Sequence, residues 1–450
     1  MPLRSAGNVD LVFLTCAWGC CRLHGPPHRA LPRTTSAPEH VHLRAWRALD
    51  GQGRGAQEAV GIADDGAVPV FHVDVTKYDM VEAAVRETKV VLNAAGPYWL
   101  WGTNVVRACT LLGKRYVDLT GEPHFQHKMI ELFDHTATKT GAVIVPACGF
   151  DSVPSDIAVF LANRTLKNAL GPQTQLGLSQ SFFNIKGGFS GGTMASMASE
   201  IEDVPADVAE ESQKDYALSP VKGHPSPPQQ TAVRVPFSQP PMYGAAWIMA
   251  TANTAVVQRT FGLNALLADH SSTVLASARA EAQKAGEQIR PLTYGPEFRY
   301  AEYMTFSRSR FAASLFSVLL GLWFTLLFNV PPVWWIAKRF LPKSGEGPSE
   351  KLMQSGYMNV TNYTEAAGAP GTWAKTTIRG KGDPGYKLTS ECALALALDD
   401  AALPPHAHIG GVLTPATALG SVLVSRLEAA GLVQFESQIV RGNEESRKDR

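Results

Sequence analysis

Charge is scarce in this 450-residue chain. Asp, Glu, Lys and Arg make up 18% of it, and 41 basic against 40 acidic residues leave a net charge of +1. So even a balance leaves no electrostatic footprint for nucleic acid, and no basic run with interleaved aromatics replaces it. Nucleic acid is therefore not an expected partner. The six cysteines, Cys16, Cys20, Cys21, Cys109, Cys148 and Cys392, form no CxxC pairs, which excludes zinc-ribbon and thioredoxin-type centres. No other metal constellation is present, so no metal is expected. Three of the cysteines sit in apolar or small-residue segments, as reduced cytosolic thiols do. No charged-then-apolar leader pattern opens the chain, so no secretory signal is expected. There is no internal repeat. A glycine-rich phosphate loop is also missing where a dinucleotide fold should carry one, after the apolar strand NVDLVFL at Asn8–Leu14.

What is present describes a folded protein of about two domains. Its best-defined stretch is KVVLNAAGPYWLWG, Lys89 to Gly102. Val90, Val91 and Leu92 form a short apolar strand, and Asn93, Ala94, Ala95, Gly96 and Pro97 form a small-residue turn behind it. A parallel strand carries such a turn at its carboxyl end, where open α/β sheets bind ligands. The same pattern also serves a plain βα turn with packing aromatics.

Around this stretch, strands alternate with helices. Strands are expected at Val68–Val75, Val90–Asn93, Tyr116–Leu119 and Ala142–Pro146. Helices are expected from Thr76, as cap, to Glu87, over Thr103–Leu112 and Phe125–Thr138, and from Asp151 or Ser152 to about Leu166. That alternation argues for a doubly wound parallel sheet. Residues 15–62 break it. They carry prolines, histidines and scattered arginines without helical or strand period, and look irregular.

Beyond residue 166 the pattern changes. Leu176–Ile185 alternates like an antiparallel strand. Glycines surround Ser190 before a helix opening at Thr193, a turn that suits either an anion or a hairpin. Residues 202–242 read as a surface excursion, and Ser277–Gln288 as a helix. Phe311–Ala337 holds no charged residue, and its first eighteen residues are near the minimum for a membrane span. Arg308 and Arg310 precede it, and Lys338, Arg339 and Lys343 follow. Positive charge at both ends suits an in-plane helix or hairpin on an anionic surface, and a buried core helix is the alternative. A strand at Trp373–Arg379 and helices at Tyr386–Leu398 and from Thr414 to about Ala430 close the ordered part.

Six segments together resemble one family: VVLNAAGPYWLWG, YVDLTGE (116–122), ACGFDSVPSD (147–156), GGFSGGT (187–193), KGDPGY (381–386) and GVLTPATALG (411–420). They resemble the saccharopine dehydrogenase-like oxidoreductases, which include the bacterial trans-acting enoyl reductases of cell-wall lipid synthesis. The match covers roughly residues 65–435. It implies an α/β fold with an N-terminal Rossmann-type NAD(P) domain over 1–165 and a second α+β domain over 166–310. A membrane-associating segment follows over 311–342, and 343–450 completes the second domain and packs on the first. It implies NADP or NAD as cofactor and a lipid-like substrate. It also places the chain at a membrane or lipid droplet, or on the cytosolic face of the endoplasmic reticulum or plasma membrane. The family's first strand leads into a motif of the kind GATGFTG and a second strand ending near AGR. Both are absent here, which points to a translated wrong reading frame between about Thr15 and Gly61.

The resemblance and the strand ends nominate the site. Asn93, Ala94, Ala95, Gly96, Pro97 and Tyr98 would line the nicotinamide end, with Tyr98 as candidate proton donor or packing residue. Asp118, Gly121 and Glu122 end the next strand. The two acids would orient a ribose or substrate hydroxyl, or serve as turn and capping groups. Cys148, Gly149 and Asp151 lie at the following edge. Cys148 is a nucleophile only with a lowered pKa and otherwise packs. Asp151 and Asp156 most simply cap the next helix. No histidine falls in these segments. The expected activity is NAD(P)H-dependent reduction of a carbon–carbon double bond in an acyl substrate. The alternative is a membrane or lipid-droplet protein that keeps the fold without the cofactor.

Overall fold

The computed structural model describes residues 9–16, 41–49, 70–150, 152–187, 191–269, 290–340, 355–381 and 385–442. Asp151, the centre of GGFSGGT, the helix expected over 277–288 and most of residues 15–62 lie outside them.

The first half alternates strands and helices in the expected order. It runs β1 (Val9–Cys16), β2 (Val41–Leu49), β3 (Val70–Asp74), α1 (Tyr78–Arg86), β4 (Val90–Ala94) and α2 (Tyr98–Leu111). Then come β5 (Arg115–Asp118), α3 (Pro123–Thr140), β6 (Val143–Val145) and α4 (Ser152–Leu170). These strands form one parallel sheet ordered 3-2-1-4-5-6, with a seventh short strand beyond β6. That is the Rossmann order, with its topological switch between β1 and β4.

Strand β4 is buried on both faces, as a central parallel strand must be. Val90, Leu92 and Ala94 pack toward Val153, Ile157 and Leu388 on one side. Val91 packs toward Val85, Val105 and Met129 on the other. Each such side chain contributes about 1.5–3 kcal/mol by leaving water.

Three local expectations are corrected. The irregular stretch contains strand β2, which pairs in register between β1 and β3. Its sequence VHLRAWRAL places arginines at two positions, which hides the apolar alternation. Helix α2 starts at Tyr98, five residues before the expected Thr103. Its cap comes from Glu122, the residue just before α3, whose carboxylate accepts the Tyr98 and Trp99 N–H groups at 3.0 and 2.8 Å. Thr76 does not cap α1. Its hydroxyl donates to Asp74 at 2.6 Å, and the cap position is Lys77.

The second half builds a mixed sheet. It continues with β7 (Gln175–Lys186), α5 (Gly191–Glu202), α6 (Ala206–Ser212), β8 (Val233–Arg234), β9 (Tyr243–Ala245), α7 (Ala250–Ala268) and β10 (Arg299–Ser307). The apolar pair α8 (Arg310–Asn329) and α9 (Pro331–Ala337) follows, then β11 (Tyr357–Ala367), β12 (Thr372–Lys381) and α10 (Gly385–Leu398). The chain closes with α11 (Pro405–Ile409), β13 (Gly411–Val412), α12 (Pro415–Ala418), α13 (Gly420–Ala429) and β14 (Val433–Arg441). Sheet order is β14-β12-β11-β7-β10-β9-β8. Strand β7 pairs antiparallel with β11, as its alternation suggests, and parallel with β10. The C-terminal segment serves both sheets, because β13 extends the parallel sheet beside β6 and β14 edges the mixed one.

Asp156 is not a cap. It lies inside α4, fully buried, accepting the Thr260 hydroxyl at 2.6 Å and the Ala416 N–H at 2.8 Å. It thereby bolts α4 to α7 and α12. Burial pushes its carboxyl up to about 7.

Candidate active site

A cavity of about 590 Å³ opens beyond the carboxyl ends of β4 and β5. Its size is ordinary for a small-molecule site. Ala94, Gly96 and Tyr98 line it from the end of β4, and Leu119, Gly121 and Glu122 from the end of β5. Thr193, Ser196, Met197 and Glu200 of α5 form a second wall. Trp247, Met249 and Ala252 at the start of α7 form a third. Ser317, Leu320, Gly321 and Phe324 of α8 form the fourth. The carboxyl edge of the parallel sheet, helices α5 and α7 and the apolar helix therefore meet at one place.

Of the nominated cofactor residues, Asn93, Ala95 and Pro97 lie buried behind this surface. Asn93 Nδ2 donates to Tyr116 Oη at 3.1 Å, and Asn93 Oδ1 accepts the Ala95 N–H at 3.0 Å. The Tyr98 ring faces the cavity, while its hydroxyl donates back to the Asn93 carbonyl at 3.1 Å. Gly96 exposes its backbone to the cavity, and a Cβ there would lie 3.3 Å from the Tyr98 ring. Gly121 faces Met249 in the same way, at 3.1 Å.

Asp118 does not reach the cavity. Its Oδ2 accepts the Tyr116 hydroxyl at 2.8 Å, and its Oδ1 accepts the Thr120 and Ala147 N–H groups at 3.0 and 2.9 Å. It ties β5 to the end of β6, and burial pushes its carboxyl up to about 7. Glu122 does line the cavity, but its oxygens are committed to the α2 cap and to the Ser196 hydroxyl at 2.6 Å. Cys148 is fully buried, with Sγ donating to the Val145 carbonyl at 3.4 Å. Burial and the neighbouring Cys392 thiol push its pKa well above the ordinary thiol range, the opposite of what a nucleophile needs. Gly149 packs against Leu119, where a Cβ would sit 3.1 Å away.

Two titratable groups escaped the sequence reading. Glu200 lines the cavity one helical turn beyond Ser196. Burial raises its pKa and the Glu122 charge adds to that, while His124 and the Gln213 amide, which donates to its Oε1 at 3.3 Å, pull it back down. His124 is buried beside Glu122, its Nε2 3.6 Å from Glu122 Oε2, and neither ring nitrogen makes a hydrogen bond. The Trp99 ring stands edge-on to it at 5.5 Å. Local sequence carried no signal for either residue, since helix α5 brings Glu200 in from the second half of the chain.

No family model matches the chain. A trans-acting enoyl reductase of Mycobacterium tuberculosis is 31% identical to it over 394 residues, covering 82% of this chain and 85% of that protein. A second Mycobacterium tuberculosis protein, carrying the same name provisionally, is 35% identical over 384 residues, covering 81% and 84%. Among solved structures, apo saccharopine dehydrogenase (L-Glu forming) from Saccharomyces cerevisiae aligns over 96% of this chain and all of its own. Its TM-score is 0.44 and its identity 10%. On the identity shared with these relatives over four-fifths of its length, the chain belongs to the family of the trans-acting enoyl reductases.

Proposed function

We propose that the protein is a nicotinamide-dependent oxidoreductase that reduces a carbon–carbon double bond in a lipid-like acyl substrate at a membrane or lipid-droplet surface. The observation that carries this reading is the position of the cavity. It lies beyond the carboxyl edge of a Rossmann-ordered sheet and shares a wall with an exposed apolar helix. The residues fit the nicotinamide end of such a cofactor. Ala94 and Gly96 leave room for a flat ring beside the Tyr98 side chain. NADP or NAD, when bound, supplies a hydride to an electrophilic carbon.

The chain supplies geometry, dryness and a proton. Glu122 holds the start of α2, and so the Tyr98 ring, in place. Met197, Trp247 and Phe324 exclude water. Glu200, whose pKa burial raises, stands on the cavity wall where a donor of the proton that the second carbon requires would sit. Tyr98, with its hydroxyl turned onto Asn93, has a packing role.

Helix α8 is the membrane contact. It is 20 residues long with mean hydropathy 2.1, and only 17% of its apolar window is buried. Phe311, Val318, Leu319, Leu322 and Trp323 are exposed on it, and exposed apolar side chains gathered on one helix mark an interaction surface. One face is docked on the protein, so the helix lies in the interface rather than crossing it.

Fluorescence titration with NADPH and NADH tests the cofactor, and NADPH oxidation with a trans-2-enoyl thioester tests the reaction. Saturable nicotinamide binding and substrate-dependent oxidation are expected. If neither nucleotide binds, the protein is a fold-retaining membrane protein instead.

A further inference from the structure

Helix α8 is fastened near both ends and bridges the cavity between. Toward its start, Ala313 is buried, and Ser317 Oγ donates to the Thr231 carbonyl at 2.6 Å and accepts the Ala246 N–H at 2.8 Å. Toward its end, Leu327 is buried. Just beyond, Trp334 Nε1 donates to Glu202 Oε1 at 2.9 Å, and the Lys338 ammonium pairs with the same carboxylate at 2.6 Å. The unfastened middle carries Leu320, Gly321 and Phe324 over the cavity.

Gly321 is the informative residue. A glycine inside a helix costs about 1 kcal/mol relative to alanine, so it calls for a local reason. Backbone conformation is not that reason, since Gly321 is not among the glycines with positive φ. Close packing is not either, since a Cβ built there would meet nothing within 4 Å. Gly321 both lines the cavity and is itself exposed. What the missing side chain leaves is a gap in the wall, next to the bare face formed by Val318, Leu319 and Leu322. Arg308 before the helix, Arg310 at its first position and Arg339 after it are charges that suit anionic headgroups beside that face.

We propose that the gap at Gly321 is a lateral port through which the hydrocarbon tail of a membrane-resident acyl ligand runs between the cavity and the lipid. The inference rests on the proposed function only in taking the ligand to be acyl. The cavity holds the reacting end, and the tail of a long ligand leaves over Gly321 into the surface that α8 contacts. Affinity should therefore keep rising with chain length after the cavity is full.

The test uses the full chain and cis-parinaric acid, a fluorescent eighteen-carbon fatty acid, with fatty acids from six to eighteen carbons as competitors. Gly321→Phe plugs the port. It should weaken the eighteen-carbon ligands by about tenfold or more, while six-carbon competitors stay within about twofold, as the loss of a few buried methylenes implies. Gly321→Ala, the better helix former, should fold at least as well and show a smaller loss of the same length dependence. The port is overturned if both variants keep the wild-type length dependence, or if short and long ligands weaken equally in Gly321→Ala. Nucleotide titration separates this from the reductase reading. Length-dependent fatty-acid binding without nicotinamide binding keeps the port and removes the enzyme. Nicotinamide binding with length-independent fatty-acid affinity does the reverse.

Discussion

The polar groups behind the end of the parallel sheet and those facing the cavity differ in what they are free to do. Behind the edge, Asn93, Tyr116 and Asp118 form a closed chain of hydrogen bonds, and every named oxygen of Asp118 is occupied. In front of it, Glu200 lines the cavity with one amide neighbour, Gln213. Each region holds a carboxyl whose pKa burial raises, fully buried at Asp118 and half-buried at Glu200, yet only Glu200 opens on space that a ligand can fill. A perturbed carboxyl marks burial first. Access decides whether it can also do chemistry.

The largest effect that would break this comparison is expected at Asp118. Asp118→Ala strands the Tyr116 hydroxyl and two N–H groups in the core and should cost about 3–5 kcal/mol of stability in urea unfolding. Glu200→Gln should do the opposite. It should unfold within about 1 kcal/mol of wild type but lose about a hundredfold or more in kcat for the proposed enoyl reduction. Equal behaviour of the two variants would erase the distinction.

Next in size is Gly102→Ala. Its Cβ would sit 2.6 Å from the Phe125 ring, where α2 crosses α3, so overpacking should cost about 1–3 kcal/mol in thermal unfolding. The titration of Asp156 gives a subtler signal. Folded, it keeps its proton up to about 7; unfolded, it releases it at the ordinary value of about 4. Between these values the folded state binds more protons, so this group's stabilisation is lost as pH rises through that window. Asp156→Asn should flatten the slope of stability against pH from 4 to 7. Smallest in stability, and largest in location, is Leu319→Gln combined with Leu322→Gln on the bare face of α8. Unfolding should shift by no more than about 0.5 kcal/mol, while flotation with anionic vesicles should be lost.

Much of the parallel sheet was legible because its strands are apolar runs closed by turn residues, and burial on both faces leaves no other reading for VVLNA. Strand β2 was not, because arginines interrupt its apolar positions and only pairing with β1 and β3 makes it a strand. The start of α2 was missed because its cap lies 24 residues away, on Glu122. For the site, the small residues at the end of β4 were readable as a turn at the carboxyl edge of the sheet, where the cavity lies. The roles of the acids were not. Asp118, Glu122 and Asp156 look alike in a sequence, and hydrogen-bond partners from other elements decide what each one does.

By itself, the sequence determined the alternation that makes a Rossmann sheet, the position of its carboxyl-end turns, and an uncharged apolar helix between basic flanks. These follow from local periodicity and composition, which depend on near neighbours in the chain. Only the tertiary structure brought Gly96, Glu200 and Gly321 to one cavity. That convergence depends on packing between a sheet edge, helix α5 and a docked helix, contacts made across more than a hundred residues, and no local pattern encodes them.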